Sequence, residues 1–121
     1  MSKKILLVED NEAISGVIET ILEEYYEILV TRGYQDSVGI LEVEDPAVAI
    51  IDLYLANNDR GTAILAWIRQ KKKSNMPVIL ISGEHKILQD IRESGQYDFA
   101  AYLEKPLDYK EFIATVKELA G

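Results

Sequence analysis

The 121-residue sequence has no cysteine, which rules out a disulfide framework, a thiolate metal site and a cysteine nucleophile, and agrees with a reducing compartment. Only 3 prolines and 7 glycines occur. No repeat, low-complexity tract or Pro/Gly/Ser-rich linker interrupts the chain, so nothing suggests a fibrous or multi-part organisation. Long apolar runs are missing as well. The opening MSKKILLVED carries two lysines, but its apolar stretch, residues 5–8, is far short of a signal segment or a membrane span. The expectation is therefore a cytoplasmic protein with no membrane partner. Basic residues are scarce: 13 Lys and Arg face 21 Asp and Glu, a formal net charge of -8. Such a surface repels phosphate backbones, which argues against direct nucleic-acid binding. The one basic run, Lys71, Lys72 and Lys73, reads as a helix C-terminus whose positive charge offsets the macrodipole.

What is present is enough apolar material, 48% of residues, to bury a sizeable core in a chain of one-domain length. Residues 5–8, 47–51, 78–81 and the shorter 100–103 are apolar runs of the kind found in strands covered on both faces, and 27–31 (EILVT) is a weaker fifth. Between them lie helical spacings: Ile14, Ile18, Ile21 and Leu22; Ile64, Leu65 and Ile68; Phe112, Val116 and Leu119. Asp108, with Glu111 three residues on, reads as a helix N-cap, and Gly95 as a C-cap. The closing EFIATVKELAG still reads as a helix rather than a tether. Alternating strand and helix predict βαβ units, hence an α/β fold whose parallel sheet is doubly wound.

In such a fold the site lies outside the carboxyl ends of the strands. Glu9 and Asp10 follow the first strand, Asp52 the third, Ser82 and Gly83 the fourth, and Lys105 and Pro106 the fifth. Three carboxylates crowded together call for a cation, and oxygen-only donors suit a hard ion such as Mg²⁺. A lysine and a hydroxyl beside them complete the needs of phosphoryl transfer, with Asp52, at the end of the most continuously apolar strand, as nucleophile.

The segments ILLVEDN, IIDLYL, VILISGE and AAYLEKPL closely resemble the receiver domains of two-component response regulators, over essentially the whole chain. The resemblance implies a flavodoxin-like (βα)5 fold with strand order 2-1-3-4-5, residues 1–121 forming one receiver domain without an output domain. It implies Mg²⁺, with Mn²⁺ able to substitute, held by Glu9, Asp10, Asp52 and the backbone carbonyl of Tyr54. Asp52 becomes the phosphoacceptor, Ser82 and Lys105 bind the phosphoryl group, and Tyr102 is the switch aromatic. Lys105 would precede Pro106 through a cis peptide bond that aims the lysine inward. Tyr54 and Glu84 flank the path of the hydrolytic water and tune dephosphorylation. The implied partners are a sensor histidine kinase or histidine phosphotransfer protein upstream, and an effector protein or covalently linked output domain downstream. The implied state is a monomer or weak dimer that catalyses only its own phosphorylation and dephosphorylation.

Rival readings fit less well. A Mg²⁺-dependent aspartyl phosphatase needs a second acid two residues past its nucleophile, where this chain has Tyr54. A flavin or nucleotide module wants a Gly/Ser/Thr-rich loop where Glu9, Asp10 and Asn11 stand. A degenerate receiver used as a scaffold would lack some of the expected side chains. His85 has no histidine or cysteine partner and reads as a solvated loop residue; Trp67, Tyr25 and Tyr26 read as covers for core edges. One segment departs from the family pattern: LYLANNDRGTAIL, after Asp52, has no proline, and its glycine, Gly61, sits nine residues past the aspartate, one more than is commonest.

Overall fold

Continuous apolar runs become strands when both faces are covered, and this sheet is built that way. The computed structural model describes residues 3–121, in which five strands and five α-helices alternate. They are β1 (Lys4–Val8), α1 (Glu12–Leu22), β2 (Glu27–Thr31), α2 (Tyr34–Val43), β3 (Val48–Asp52), α3 (Gly61–Gln70), β4 (Val78–Ser82), α4 (His85–Ser94), β5 (Ala101–Glu104) and α5 (Tyr109–Ala120), with one 3₁₀ turn, Ala56–Asn58. All strand pairings are parallel, in the order β2-β1-β3-β4-β5, as the resemblance implied. β3 and β4 are buried along their whole length, whereas the edge strand β2 is half exposed, which explains its weaker apolar signature.

The period-two alternation of a strand divides the core into two layers. Ile5, Leu7, Val48, Ile50, Ile79 and Ile81 pack with Ile18 and Leu22 of α1 and Phe112 and Val116 of α5. Leu6, Val8, Ala49 and Ile51 pack on the opposite face with Leu41 of α2, Ile64, Leu65 and Ile68 of α3, and Leu88 of α4. Each such aliphatic side chain contributes roughly 1.5–3 kcal/mol when fully buried. Sandwiched in this way, the central strands β1, β3 and β4 reach solvent chiefly at their ends.

Helix ends follow local chemistry. The Asn11 side chain caps α1 by accepting from the Ile14 N–H at 3.0 Å, and Asp108 caps α5 by accepting from the Lys110 and Glu111 N–H groups. Gly95 closes α4 in the left-handed conformation, φ 67°. Three expectations need correction. His85 is the first residue of α4, not a loop residue, and its exposed ring pairs with Glu104. Of the lysine run, Lys71 does end α3, but Lys72 crosses to the C-terminus of α2, donating to the carbonyls of Leu41 (2.7 Å) and Glu44 (3.1 Å) and pairing with Asp45. Tyr25 is exposed, its ring lying under the Lys117 ammonium, while Tyr26 and Trp67 do pack against the core. Among the described residues, no helix is long and apolar enough to cross a membrane.

Candidate functional site

Because all strands are parallel, their carboxyl ends share one edge, and the order changes direction between β1 and β3. Glu9 follows β1 directly, its N–H held by the Thr31 carbonyl at 3.0 Å. Asp52 is the last residue of β3 and Ser82 the last of β4. Lys105 follows β5 and its N–H donates to the Ser82 carbonyl at 2.9 Å. The sheet itself therefore gathers these side chains at the switch point.

Glu9, Asp10 and Asp52 each offer a carboxylate oxygen, and these lie within 4.8 Å of one another. Glu9 and Asp52 are buried, at 1% and 6% exposure. The Lys105 ammonium reaches both, 2.6 Å from Glu9 Oε1 and in direct contact with Asp52 Oδ2. Asp52 Oδ1 also accepts from the Tyr54 N–H, and Glu9 Oε2 from the Asn11 N–H. Burial pushes the Glu9 carboxyl up to about 7; the Lys105 bond opposes this and the neighbouring Asp52 adds to it. For Lys105, burial pulls its pKa down, but the bonds to Asp52 and Glu9 outweigh that and leave it raised.

Burial costs the Glu9 carboxylate its solvation, the Asp52 charge beside it adds to that cost, and one ammonium offsets only part of it, so Glu9 takes up a proton more readily than an ordinary carboxylate. Three oxygen donors with no nitrogen or sulfur among them fit a hard divalent cation such as Mg²⁺ rather than zinc or copper.

The remaining predicted residues occupy distinct places. Ser82 is fully buried at the end of the strand beside β3, and its Oγ accepts from the Glu84 N–H at 3.0 Å. Glu84 is exposed at the head of α4. Tyr54 is half-buried, with the Arg60 guanidinium 4.3 Å above its ring. Tyr102 stands on the α4–β5 side: its ring packs edge-on to Phe99, 5.6 Å between centroids, and its hydroxyl donates to the Tyr97 carbonyl at 3.4 Å. Burial raises the pKa of that hydroxyl. The Lys105–Pro106 bond is cis.

Gly61 explains the glycine of the loop after Asp52. A Cβ there would lie 2.4 Å from the Asp52 carbonyl oxygen and 2.8 Å from Ile51 Cγ2, so only glycine lets α3 start against the end of β3.

Sequence reasoning missed two residues that bind the site's loops. The Arg32 guanidinium donates to the Asp10 carbonyl at 3.2 Å, and Asp59 Oδ2 accepts from the Tyr34 N–H at 2.7 Å. Neither carries a local motif; the one available signal was a charged residue immediately after a strand.

A family model described as the response regulator receiver domain matches residues 5–117. The chain is similar to the receiver domain of a sensor histidine kinase from Pseudomonas aeruginosa PAO1, solved with a magnesium ion coordinated in its active site cleft: 27% identity, TM-score 0.84, covering 100% of this chain and 99% of that one. A response regulator receiver domain protein from Methanospirillum hungatei JF-1 is 25% identical, with TM-score 0.85, and covers 99% and 94% of the two chains. The signal receiver domain of an HD domain-containing protein from Pseudomonas fluorescens Pf-5 shares the fold at TM-score 0.86 and 23% identity, covering 98% and 94%.

Proposed function

This chain belongs to the response regulator receiver domain family, and from that premise we propose that it is a phosphoacceptor switch in which Asp52 takes a phosphoryl group from phosphohistidine on a partner kinase or phosphotransfer protein. The observation that carries this reading is the Lys105 ammonium lying on Asp52 inside a pocket of three carboxylates.

Glu9, Asp10, Asp52 and the backbone carbonyl of Tyr54 are the groups to hold Mg²⁺, with Mn²⁺ as a substitute. When bound, the ion neutralises charge on the phosphoryl oxygens. An Asp52 carboxylate oxygen bonds to phosphorus while the P–N bond breaks, and the imidazole nitrogen leaves with that electron pair. Lys105, already on Asp52, is placed to hold one phosphoryl oxygen. Ser82 Oγ accepts from a backbone N–H, so its own proton is available for another. No covalent role falls to Ser82.

The phosphoryl group brings close to two negative charges, by analogy with phosphoserine. Moving a switch from 1:99 to 99:1 needs about 5.5 kcal/mol of differential stabilisation, which charge-assisted bonds to Lys105 and Ser82 approach. Tyr102 is the reporter of that change, leaving its bond to Tyr97 and altering the α4–β5–α5 face that an effector or output domain reads. Tyr54 and Glu84 shield the aspartyl phosphate from water. On this reading the protein is cytoplasmic and acts as a signalling switch, not an enzyme with an external substrate.

The test is labelling by acetyl phosphate. Mg²⁺-dependent labelling that disappears in Asp52→Asn supports the reading; a chain that takes no label while binding a partner is a scaffold instead.

A further inference from the structure

The turn between β2 and α2 lies beside the site yet contributes no carboxylate to it. Thr31, the last residue of β2, pairs with Val8 of β1, so Arg32 and Gly33 emerge next to the acidic loop. Gly33 has no side chain with which to cap α2. Asp36, in the first turn of the helix, reaches back to accept from the Arg32 and Gly33 N–H groups at 2.8 and 2.9 Å, while the N–H of Tyr34, the first helical residue, donates to Asp59, from the loop after Asp52, at 2.7 Å. A carboxylate at this end of a helix is also favoured by the macrodipole.

Asp59 is in turn wired into the loop. Its carbonyl accepts from the Leu55 N–H and its N–H donates to the Ala56 carbonyl. Immediately outside that pair, Tyr54 and Arg60 form an antiparallel bridge, and the Tyr54 N–H reaches Asp52 Oδ1. Between them Asn57 and Asn58 both sit at φ 61°, a left-handed conformation that non-glycine residues adopt uncommonly. Asparagine tolerates this conformation better than most residues, and the Leu55–Asp59 and Asp59–Ala56 backbone bonds close a turn around the pair, so Asp59 stands at the end of a defined turn.

On the other side, Arg32 donates one guanidinium nitrogen to the Asp10 carbonyl and pairs the other with Glu12 at 3.1 Å. The cation thus steadies the acidic loop through its backbone, and the Asp10 carboxylate is left to the pocket.

We propose that the β2–α2 turn is a brace for the site: Arg32 ties it to the loop carrying Asp10, and Asp59 ties the loop carrying Tyr54 to the same turn. Both are positioning residues for cation binding at Asp52. The inference rests on the reading of the pocket as a Mg²⁺ site. The brace acts by holding ligands that repel one another at a spacing they would not keep unaided.

Gly33 gives an independent way to strike the same contact. Its backbone is extended, so alanine is tolerated conformationally, but a Cβ would lie 2.9 Å from Asp59 Oδ2. Mg²⁺ uptake by isothermal titration calorimetry, unfolding of the metal-free proteins in EDTA, and acetyl phosphate labelling against Mg²⁺ concentration are measured together. Asp59→Ala and Gly33→Ala should each weaken Mg²⁺ affinity about tenfold, the low end of what supporting contacts of a metal site provide. The labelling rate at saturating Mg²⁺ should change much less. Asp59→Asn keeps an acceptor and should recover most of the loss. Gly33→Ala should cost nothing further in the Asp59→Ala background, because both act on one contact. Arg32→Ala, on a more exposed contact, should cost roughly threefold.

If Asp59→Ala does not fold, Gly33→Ala decides the question alone, wild-type affinity in it overturning the brace. Wild-type affinity in folded Gly33→Ala and Asp59→Ala proteins overturns the brace. Absence of Mg²⁺ uptake by the wild-type chain overturns the reading of the pocket, and the brace with it.

Discussion

Among the described residues, four lysines lie beside carboxylates, and two of them show how differently the same chemistry weighs in two regions. At the sheet end, Lys105 meets Glu9 and Asp52, with side chains 17%, 0% and 9% exposed. On the surface of α4, Lys86 meets Asp90 at 3.0 Å, with side chains 82% and 57% exposed. Water screens the second pair and holds both ions without help from the protein. In the first, each charge depends on the others, because leaving one unpaired means leaving a buried ion without solvent. The sheet end is therefore where removing a charge changes the molecule, and where adding a cation does too.

The sharpest way to break this comparison is Lys105→Met. It leaves Glu9, Asp10 and Asp52 without their ammonium, and the expected loss of stability is about 3 kcal/mol at neutral pH in EDTA, the lower range for a broken buried pair because Glu9 can hold a proton. Urea denaturation measures it. Added Mg²⁺ should recover part of the loss; a Lys105→Met protein as stable as the wild type would place the pocket in the same class as the α4 surface.

Next in size is the effect of the cation itself. Free Mg²⁺ at one hundred times its dissociation constant should stabilise the wild type by about 2.7 kcal/mol, read as a rise in the thermal midpoint. Asp52→Asn removes one of the three donors and should lose most of that rise, while in EDTA it should cost little, since it also removes one of the repelling charges. A rise of equal size in both proteins would mean that the ion acts elsewhere.

Lys72 sharpens the comparison from between the two regions. Its side chain is 15% exposed, and it serves the carbonyl end of α2 rather than a carboxylate cluster. Lys72→Ala removes two charge-assisted bonds and a favourable dipole contact, with an expected loss of about 1–2 kcal/mol and no change in Mg²⁺ affinity.

The same contrast explains what could be read from the sequence. β1, β3 and β4 were legible because burial on both faces demands unbroken apolar runs, and a parallel sheet then delivers Glu9, Asp52, Ser82 and Lys105 to one edge whatever the loops do. The helices α2 and α4 were not located by apolar spacing, since few of their residues are buried: Ser37 and Leu41 in one, Leu88 in the other. The backbone contacts of Arg32, Asp59 and Lys72 could not be assigned because the groups they reach lie 22, 25 and 28 or more residues away. A backbone carbonyl or N–H leaves no trace in residue identity, so tethers of this kind become visible only in the folded chain.

The smallest effect belongs to Lys86, and its sign is informative. Its pair with Asp90 spans one helical turn, but the lysine is the N-terminal member, the less favourable order, and it stands in the first turn of α4, where positive charge opposes the macrodipole. The attraction to Asp90 and the repulsion from the helix end therefore oppose each other in water. Lys86→Gln should leave the urea midpoint unchanged within error and Mg²⁺ affinity unaltered. A clear loss of stability would mean that an exposed ion pair can matter as much as a buried one in this fold, and the distinction between the sheet end and the helix surface would have to rest on something other than solvent.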